Sequence, residues 1–145
     1  MSFPRPRAMI VEDDPDILIV LRKSLEGAGF DTSLAADGST AMLRIEAERP
    51  DVVLLDLMLP LMDGWSVLAE LRDRPGAPKV VVCTARASEI ERERALEMGA
   101  AEYVTKPFRP DHLVSLVWDV VRRPSPGLTT EWSPPANPVQ GSEPL

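Results

Sequence analysis

One cysteine, one histidine and one tyrosine are all that this 145-residue sequence holds of those types. Cys83 has no second thiol to pair with, which excludes an internal disulfide. In the apolar run Val80-Val81-Val82-Cys83 it reads as a core side chain. Positive charge is short as well: 16 basic against 23 acidic residues leave a formal charge of −7, so no direct nucleic-acid partner is expected. No apolar run approaches the ~20 residues of a membrane span, which argues against membrane insertion. The start, Met1 to Arg7, has no apolar stretch behind its arginines, so no secretory signal is found and the protein is expected in the cytoplasm.

What is present fits one soluble domain, with 44% hydrophobic and 27% charged residues. Short apolar runs at Ala8–Val11, Val52–Leu55, Val80–Cys83 and, more weakly, Glu102–Thr105 alternate with stretches of helical spacing. Such runs suit strands buried on both faces of a parallel sheet. A further strand, Phe30 to Ala35, is the least apolar and suits an edge. Ile17, Leu18, Leu21 and Leu25 mark a first helix that stops at Gly27-Ala28-Gly29. A second runs from Asp37 to Ala47, and Trp65, Leu68 and Leu71 mark a third. A fourth spans Ile90 to Met98, and a fifth Leu113 to Val121. Five β-α units with right-handed crossovers predict a doubly wound parallel α/β sheet of strand order 2-1-3-4-5, the flavodoxin-like (βα)5 arrangement. Residues 1–7 read as an extension, 8–123 as the domain, and 124–145 as a proline-rich tail, expected to be disordered, with no room for a further output domain.

In such a sheet, ligands bind beyond the carboxyl ends of the strands where strand order reverses, here between strands one and three. Strand one runs into Glu12-Asp13-Asp14 and strand three into Asp56. Asp14 and Asp16 suit helix capping. Glu12, Asp13 and Asp56 converge, and like charges in one cleft call for a cation. Carboxylates plus a backbone carbonyl suit magnesium, whereas zinc wants the histidine or cysteine that is lacking nearby. Strands four and five end in Thr84 and in Thr105-Lys106, and the Lys106-Pro107 bond can be cis. A carboxylate nucleophile, a metal, a hydroxyl and an ammonium are the parts of a phosphoryl transfer.

The set Ile10-Val-Glu-Asp-Asp14, Leu54-Leu-Asp-Leu-Met-Leu-Pro60, Asp63-Gly64, Thr84-Ala-Arg86, Gly99-Ala100 and Tyr103-Val-Thr-Lys-Pro-Phe108 resembles the receiver domains of bacterial two-component response regulators. In wording it is closest to receivers joined to winged-helix DNA-binding domains, an output domain expected to be missing here. The resemblance implies that Asp56 is the phosphoacceptor, in a stand-alone regulator phosphorylated by a histidine kinase or a histidine phosphotransfer protein. It implies magnesium bound by Asp13, Asp56 and the Met58 carbonyl, with Glu12 acting directly or through water. Lys106 would pair with a phosphoryl oxygen, Thr84 would turn to another, and Tyr103 would swing into the vacated space. Small Ala85 would leave access to the acceptor, while Met58 and Arg86 would border the path of hydrolytic water and lengthen the phosphoryl lifetime. Output would pass to an unknown protein through helix four, strand five and helix five.

Other readings are weaker. An aspartate-nucleophile phosphatase would want an acid two residues past the nucleophile, where Met58 stands; only the protein's own magnesium-dependent phosphorylation and dephosphorylation is therefore expected, not turnover of an external substrate. An FMN carrier would want a Gly-rich first loop in place of an acidic one. Tyr103 is open between a surface aromatic and a switch, and Trp132 between a docking anchor and a linker remnant. His112 reads as a surface residue, so the phosphoryl donor is another molecule. The resemblance to receivers of the winged-helix class implies a dimer charge network on the helix-four to helix-five face. Arg92, Arg94 and Glu102 are kept from it, while His112 and Leu116 stand where that class tends to carry an acid and an arginine, so a monomer or a weak dimer is expected.

Overall fold

The computed structural model describes residues 4–124. The tail from residue 125 onward, Trp132 included, lies outside the described residues, so the expectations for it rest on composition. Within them the chain alternates strand and helix: β1 Arg7–Val11, α1 Pro15–Gly27, β2 Asp31–Ala35, α2 Gly38–Glu48, β3 Val52–Leu55, α3 Gly64–Arg72, β4 Lys79–Thr84, α4 Glu89–Glu97, β5 Glu102–Thr105 and α5 Pro110–Arg122. The five strands form one parallel sheet in the order β2-β1-β3-β4-β5, as the alternation of patterns predicts.

The strands are continuously apolar because helices cover both faces. Met9, Val11, Val53, Leu55 and Val82 point to one side and pack with Ala41 and Ile45 of α2 and with Val67, Leu68 and Leu71 of α3. Ala8, Ile10, Val52, Leu54, Val81 and Cys83 point to the other, against Leu21 and Leu25 of α1 and Leu113, Val117 and Val120 of α5. Trp118 belongs to this second layer: its ring lies 4.5 Å from that of Phe30, and its Nε1 donates to the Ala28 carbonyl at 2.9 Å. Cys83 is buried, and burial pushes its thiol up to about 12, which suits packing and not reactivity. No helix among the described residues is long and apolar enough to cross a membrane.

Boundaries shift where polar residues begin an element. Arg7, assigned from sequence to the extension, opens β1 and pairs in register with Asp31. Arg5 reaches further back, donating to Asp31 Oδ1 at 3.1 Å and to the Glu26 and Phe30 carbonyls at 3.0 and 2.9 Å. Helix α5 starts three residues before its first apolar marker, at Pro110, since proline at the first helical position loses no hydrogen bond.

Three backbone bonds carry the ladder past the strand ends and set the loops that matter. Glu12 N–H donates to the Ala35 carbonyl at 3.0 Å, Asp56 N–H to Val11 at 3.1 Å, and Lys106 N–H to Thr84 at 2.7 Å. Gly64 then draws the start of α3 against the end of β3. A Cβ there would lie 2.3 Å from the Asp56 carbonyl oxygen and 2.5 Å from Leu57 Cα, so only glycine permits the approach.

Candidate functional site

Glu12, Asp13 and Asp56 meet at the carboxyl end of the sheet, where β1 and β3 run side by side. One carboxylate oxygen of each lies within 4.8 Å of the others. Glu12 and Asp56 are buried, at 3% and 6% exposure, while Asp13 is open to solvent. Asp14, as its position suggests, does not join them; it caps α1, accepting from the Asp16 and Ile17 N–H groups.

Lys106 supplies the counter-charge. Its Nζ donates to Glu12 Oε1 at 2.5 Å and to Asp56 Oδ2 at 2.9 Å. The Lys106-Pro107 peptide bond is cis, one of the two forms that the sequence allows. Asp56 Oδ1 accepts from Met58 N–H at 3.0 Å, and Glu12 Oε2 from Asp14 N–H at 3.2 Å. Burial pushes the Glu12 carboxyl above its ordinary range, and the charge of Asp56 adds to this. Lys106 and the Asp14 N–H pull it the other way. Burial also works against the Lys106 ammonium, yet its bonds to Glu12 and Asp56 outweigh that and hold it above the usual lysine range. Three carboxylates and one ammonium leave two formal negative charges. All the acidic ligand atoms are oxygens, and exposed Asp13 gives water access, so the cluster fits a hard divalent cation that keeps part of its hydration.

Thr84, fully buried, ends β4 and accepts a bond from Arg86 N–H at 3.4 Å. Ala85 and Arg86 are exposed. Tyr103 pairs in register with Val82 and shares its face, so its ring lies inward at 8% exposure and its hydroxyl donates to the Arg86 carbonyl at 2.7 Å. The ring is already inward in the unmodified protein, so the inward swing that the resemblance implies for Tyr103 is not a step this arrangement requires. Met58 is 54% exposed beside Asp56. His112 is exposed on α5, away from this cluster.

The sequence profile of the response regulator receiver domain family matches residues 8–118. This chain belongs to that family. As a receiver domain it is a component of two-component phosphorelay signalling. It is 44% identical over 123 residues to the DNA-binding response regulator MtrA of Mycolicibacterium smegmatis, covering 85% of this chain and 54% of the relative. It is 36% identical over 117 residues to the alkaline phosphatase synthesis transcriptional regulatory protein PhoP of Bacillus subtilis, covering 81% of this chain and 49% of that one. The receiver thus spans about half the length of the curated relatives it matches. Among solved structures, the receiver domain of the Francisella response regulator 1452 superposes with a TM-score of 0.78 at 32% identity, over 81% of this chain and 98% of that one. The BeF3-activated N-terminal receiver domain of Klebsiella pneumoniae RstA gives 0.76 at 32% identity, over 81% and 99%.

Sequence reasoning misses two features of the segments that follow β3 and β4. Leu61, in the loop after β3, is 84% exposed at a φ of 66°, a left-handed conformation unusual for a bulky residue. No sequence signal marks it. Glu91 of α4 pairs with Arg86 Nη1 at 2.8 Å, and the Ser88-x-x-Glu91 spacing is a signal that could have drawn attention to it.

Proposed function

We propose that this receiver takes a phosphoryl group on Asp56 from a histidine kinase or a histidine phosphotransfer protein and switches a protein-interaction face in response, in a cytoplasmic setting. The observation that carries this reading is the placement of Asp56: a buried carboxylate held by Lys106 on one oxygen, with Glu12 and Asp13 grouped beside it. Its oxygen attacks phosphorus while the bond from phosphorus to the donor breaks, so one phosphoryl group is transferred and no other co-reactant is needed. Lys106 pairs with a phosphoryl oxygen, and Thr84 turns its hydroxyl toward another. Tyr103, already inward, occupies the space beside the β4–α4 loop, while small Ala85 leaves the approach open. Glu12, Asp13, Asp56 and the Met58 carbonyl are the groups that hold magnesium. Bound there, the ion offsets the charge of the carboxylates and of the incoming phosphoryl oxygens. Incubation with a small phosphodonor and magnesium, read by intact mass, tests the reading; no gain of a phosphoryl group overturns it.

Magnesium should stabilise the unmodified protein, because binding to the native state alone shifts unfolding by mass action. A hundredfold excess over Kd corresponds to about 2.7 kcal/mol. Asp13→Ala, which removes an exposed ligand without opening the core, should lose most of the rise in Tm. Equal shifts in wild type and variant would place the ion elsewhere.

The output face proposed is α4, β5 and α5, where Tyr103, Val104, Phe108, His112 and Leu116 line a groove of about 750 Å³. Charges on this face already have intramolecular partners: Glu102 accepts from Arg123 at 2.7 Å, and Arg94 lies 4.7 Å over the Trp65 ring. We therefore expect a monomer or a weak dimer after activation, with the face left for a different protein. A tight, salt-sensitive dimer in light scattering with beryllofluoride would contradict this. Direct nucleic-acid contact is not part of the reading for the receiver itself, given its charge of −7.

A further inference from the structure

Helix α4 begins with Ser88-Glu89-Ile90-Glu91, the spacing of a capping box. In a complete box the serine hydroxyl takes the N–H of the glutamate, and the glutamate carboxylate returns to the N–H of the serine. Only the first half is made here: Ser88 Oγ accepts from Glu91 N–H at 3.2 Å. The carboxylate of Glu91 goes instead to Arg86, accepting from its Nη1 at 2.8 Å. One carboxylate therefore has two competing partners, an arginine in the preceding loop and the backbone of its own helix.

Arg86 is in turn joined to the site. Its N–H donates to Thr84 Oγ1 at 3.4 Å, and its carbonyl accepts from the Tyr103 hydroxyl at 2.7 Å. Residue 86 thus touches the site threonine, the inward tyrosine and α4 at once. The helix it touches is poorly anchored: only Ala95 is fully buried along α4, and Ile90 is 80% exposed. An ion pair whose arginine is 55% exposed is weak, and a capping bond is of the same order, so a small displacement of residue 86 decides which partner Glu91 takes.

We propose that Glu91 is a positioning residue with two states: paired to Arg86 it holds the 85–88 loop in the unmodified arrangement, and released it closes the capping box on Ser88 and firms the first turn of α4. For its trigger alone this rests on the phosphoryl reading of the site. When the Thr84 hydroxyl turns toward a phosphoryl oxygen, residue 86 loses its bond to Thr84, Arg86 moves, and the carboxylate passes to the Ser88 N–H. The event at Asp56 then reaches α4 as a change of hydrogen-bond partner at one side chain.

The test is hydrogen exchange of the Ser88 amide, followed by NMR in the unmodified protein. Arg86→Ala removes the competing partner and should slow that exchange about fivefold, the worth of a typical capping contact. Adding Glu91→Ala to Arg86→Ala removes the acceptor and should return it to the fast rate. Exchange in Arg86→Ala as fast as in wild type, or a double variant as slow as the single one, overturns the proposal. Beryllofluoride with magnesium should slow Ser88 exchange in wild type toward the Arg86→Ala value and add little in that variant. Fluorine NMR of the same samples reports whether beryllofluoride binds. If it binds and Ser88 is unchanged, the coupling is wrong; if it does not bind, the phosphoryl reading fails, while the comparison of the unmodified variants still decides the two-partner state of Glu91.

Discussion

Incubated with acetyl phosphate and magnesium, wild-type protein should gain one phosphoryl group and the Asp56→Asn variant none. The amide keeps the shape of the carboxylate and can still accept from the Met58 N–H, which donates to Asp56 Oδ1 at 3.0 Å. It has no anionic oxygen to attack phosphorus. Loss of function through misfolding is not expected, because the substitution removes one of two buried negative charges that face the same ammonium. Lys106 keeps Glu12 as a partner at 2.5 Å, so no buried charge is stranded. A melting curve of the variant at or above that of wild type, together with complete loss of labelling by intact mass, is the expected pair of results. Labelling of Asp56→Asn at the wild-type level would move the acceptor to another carboxylate and remove the central claim.

Most of the fold is legible in the sequence because this sheet is covered on both sides. Val52–Leu55 and Val80–Cys83 are unbroken apolar runs for the reason that alternate residues face different helix layers. The edge strand is legible by the opposite sign, since Thr32 and Ser33 of β2 are only partly buried. Helix α4 is the least legible: its charged run Glu89 to Arg94 gives almost no apolar stripe, and packing of Ala95 and half-buried Leu96 takes the place of pattern. At the site, Glu12, Asp13 and Asp56 can be picked out because they terminate adjacent parallel strands. The inward side of Tyr103 cannot, because a four-residue edge strand fits either face until its register against Val82 is set. The choice of Glu91 between Ser88 and Arg86 is invisible for a related reason: sequence spacing allows both partners, and the path of the 85–88 loop decides which is taken.

Once formed, the aspartyl phosphate should be long-lived, and a Met58→Asn, Arg86→Glu double variant should lose it on the order of a hundred times faster, the low end of what a positioned proton acceptor contributes. Hydrolysis requires a water in line with the bond from phosphorus to Asp56. Its oxygen attacks phosphorus, the Asp56 carboxylate leaves, and the water gives up a proton. On the proposed reading, residues 58 and 86 border that approach. Met58, 54% exposed and two residues past the acceptor, offers a flexible apolar chain that cannot orient a water. Arg86 has donors and no acceptor, so it cannot take the proton, whether its guanidinium is paired with Glu91, at 2.8 Å in the unmodified protein, or released from it. Asparagine at 58 supplies a hydrogen-bonding amide. Glutamate at 86 supplies an acceptor that Glu91 repels, so it is driven off α4 rather than held there. Arg86→Ala is the control, since it opens the approach without adding an acceptor and should shorten the lifetime far less. The measurement is loss of phosphoryl group with time after removal of acetyl phosphate, in all three proteins at one magnesium concentration. Wild type decaying as fast as the double variant would show that these two side chains do not set the lifetime. A control as fast as the double variant would show that access alone sets it, with no part for the proton acceptor.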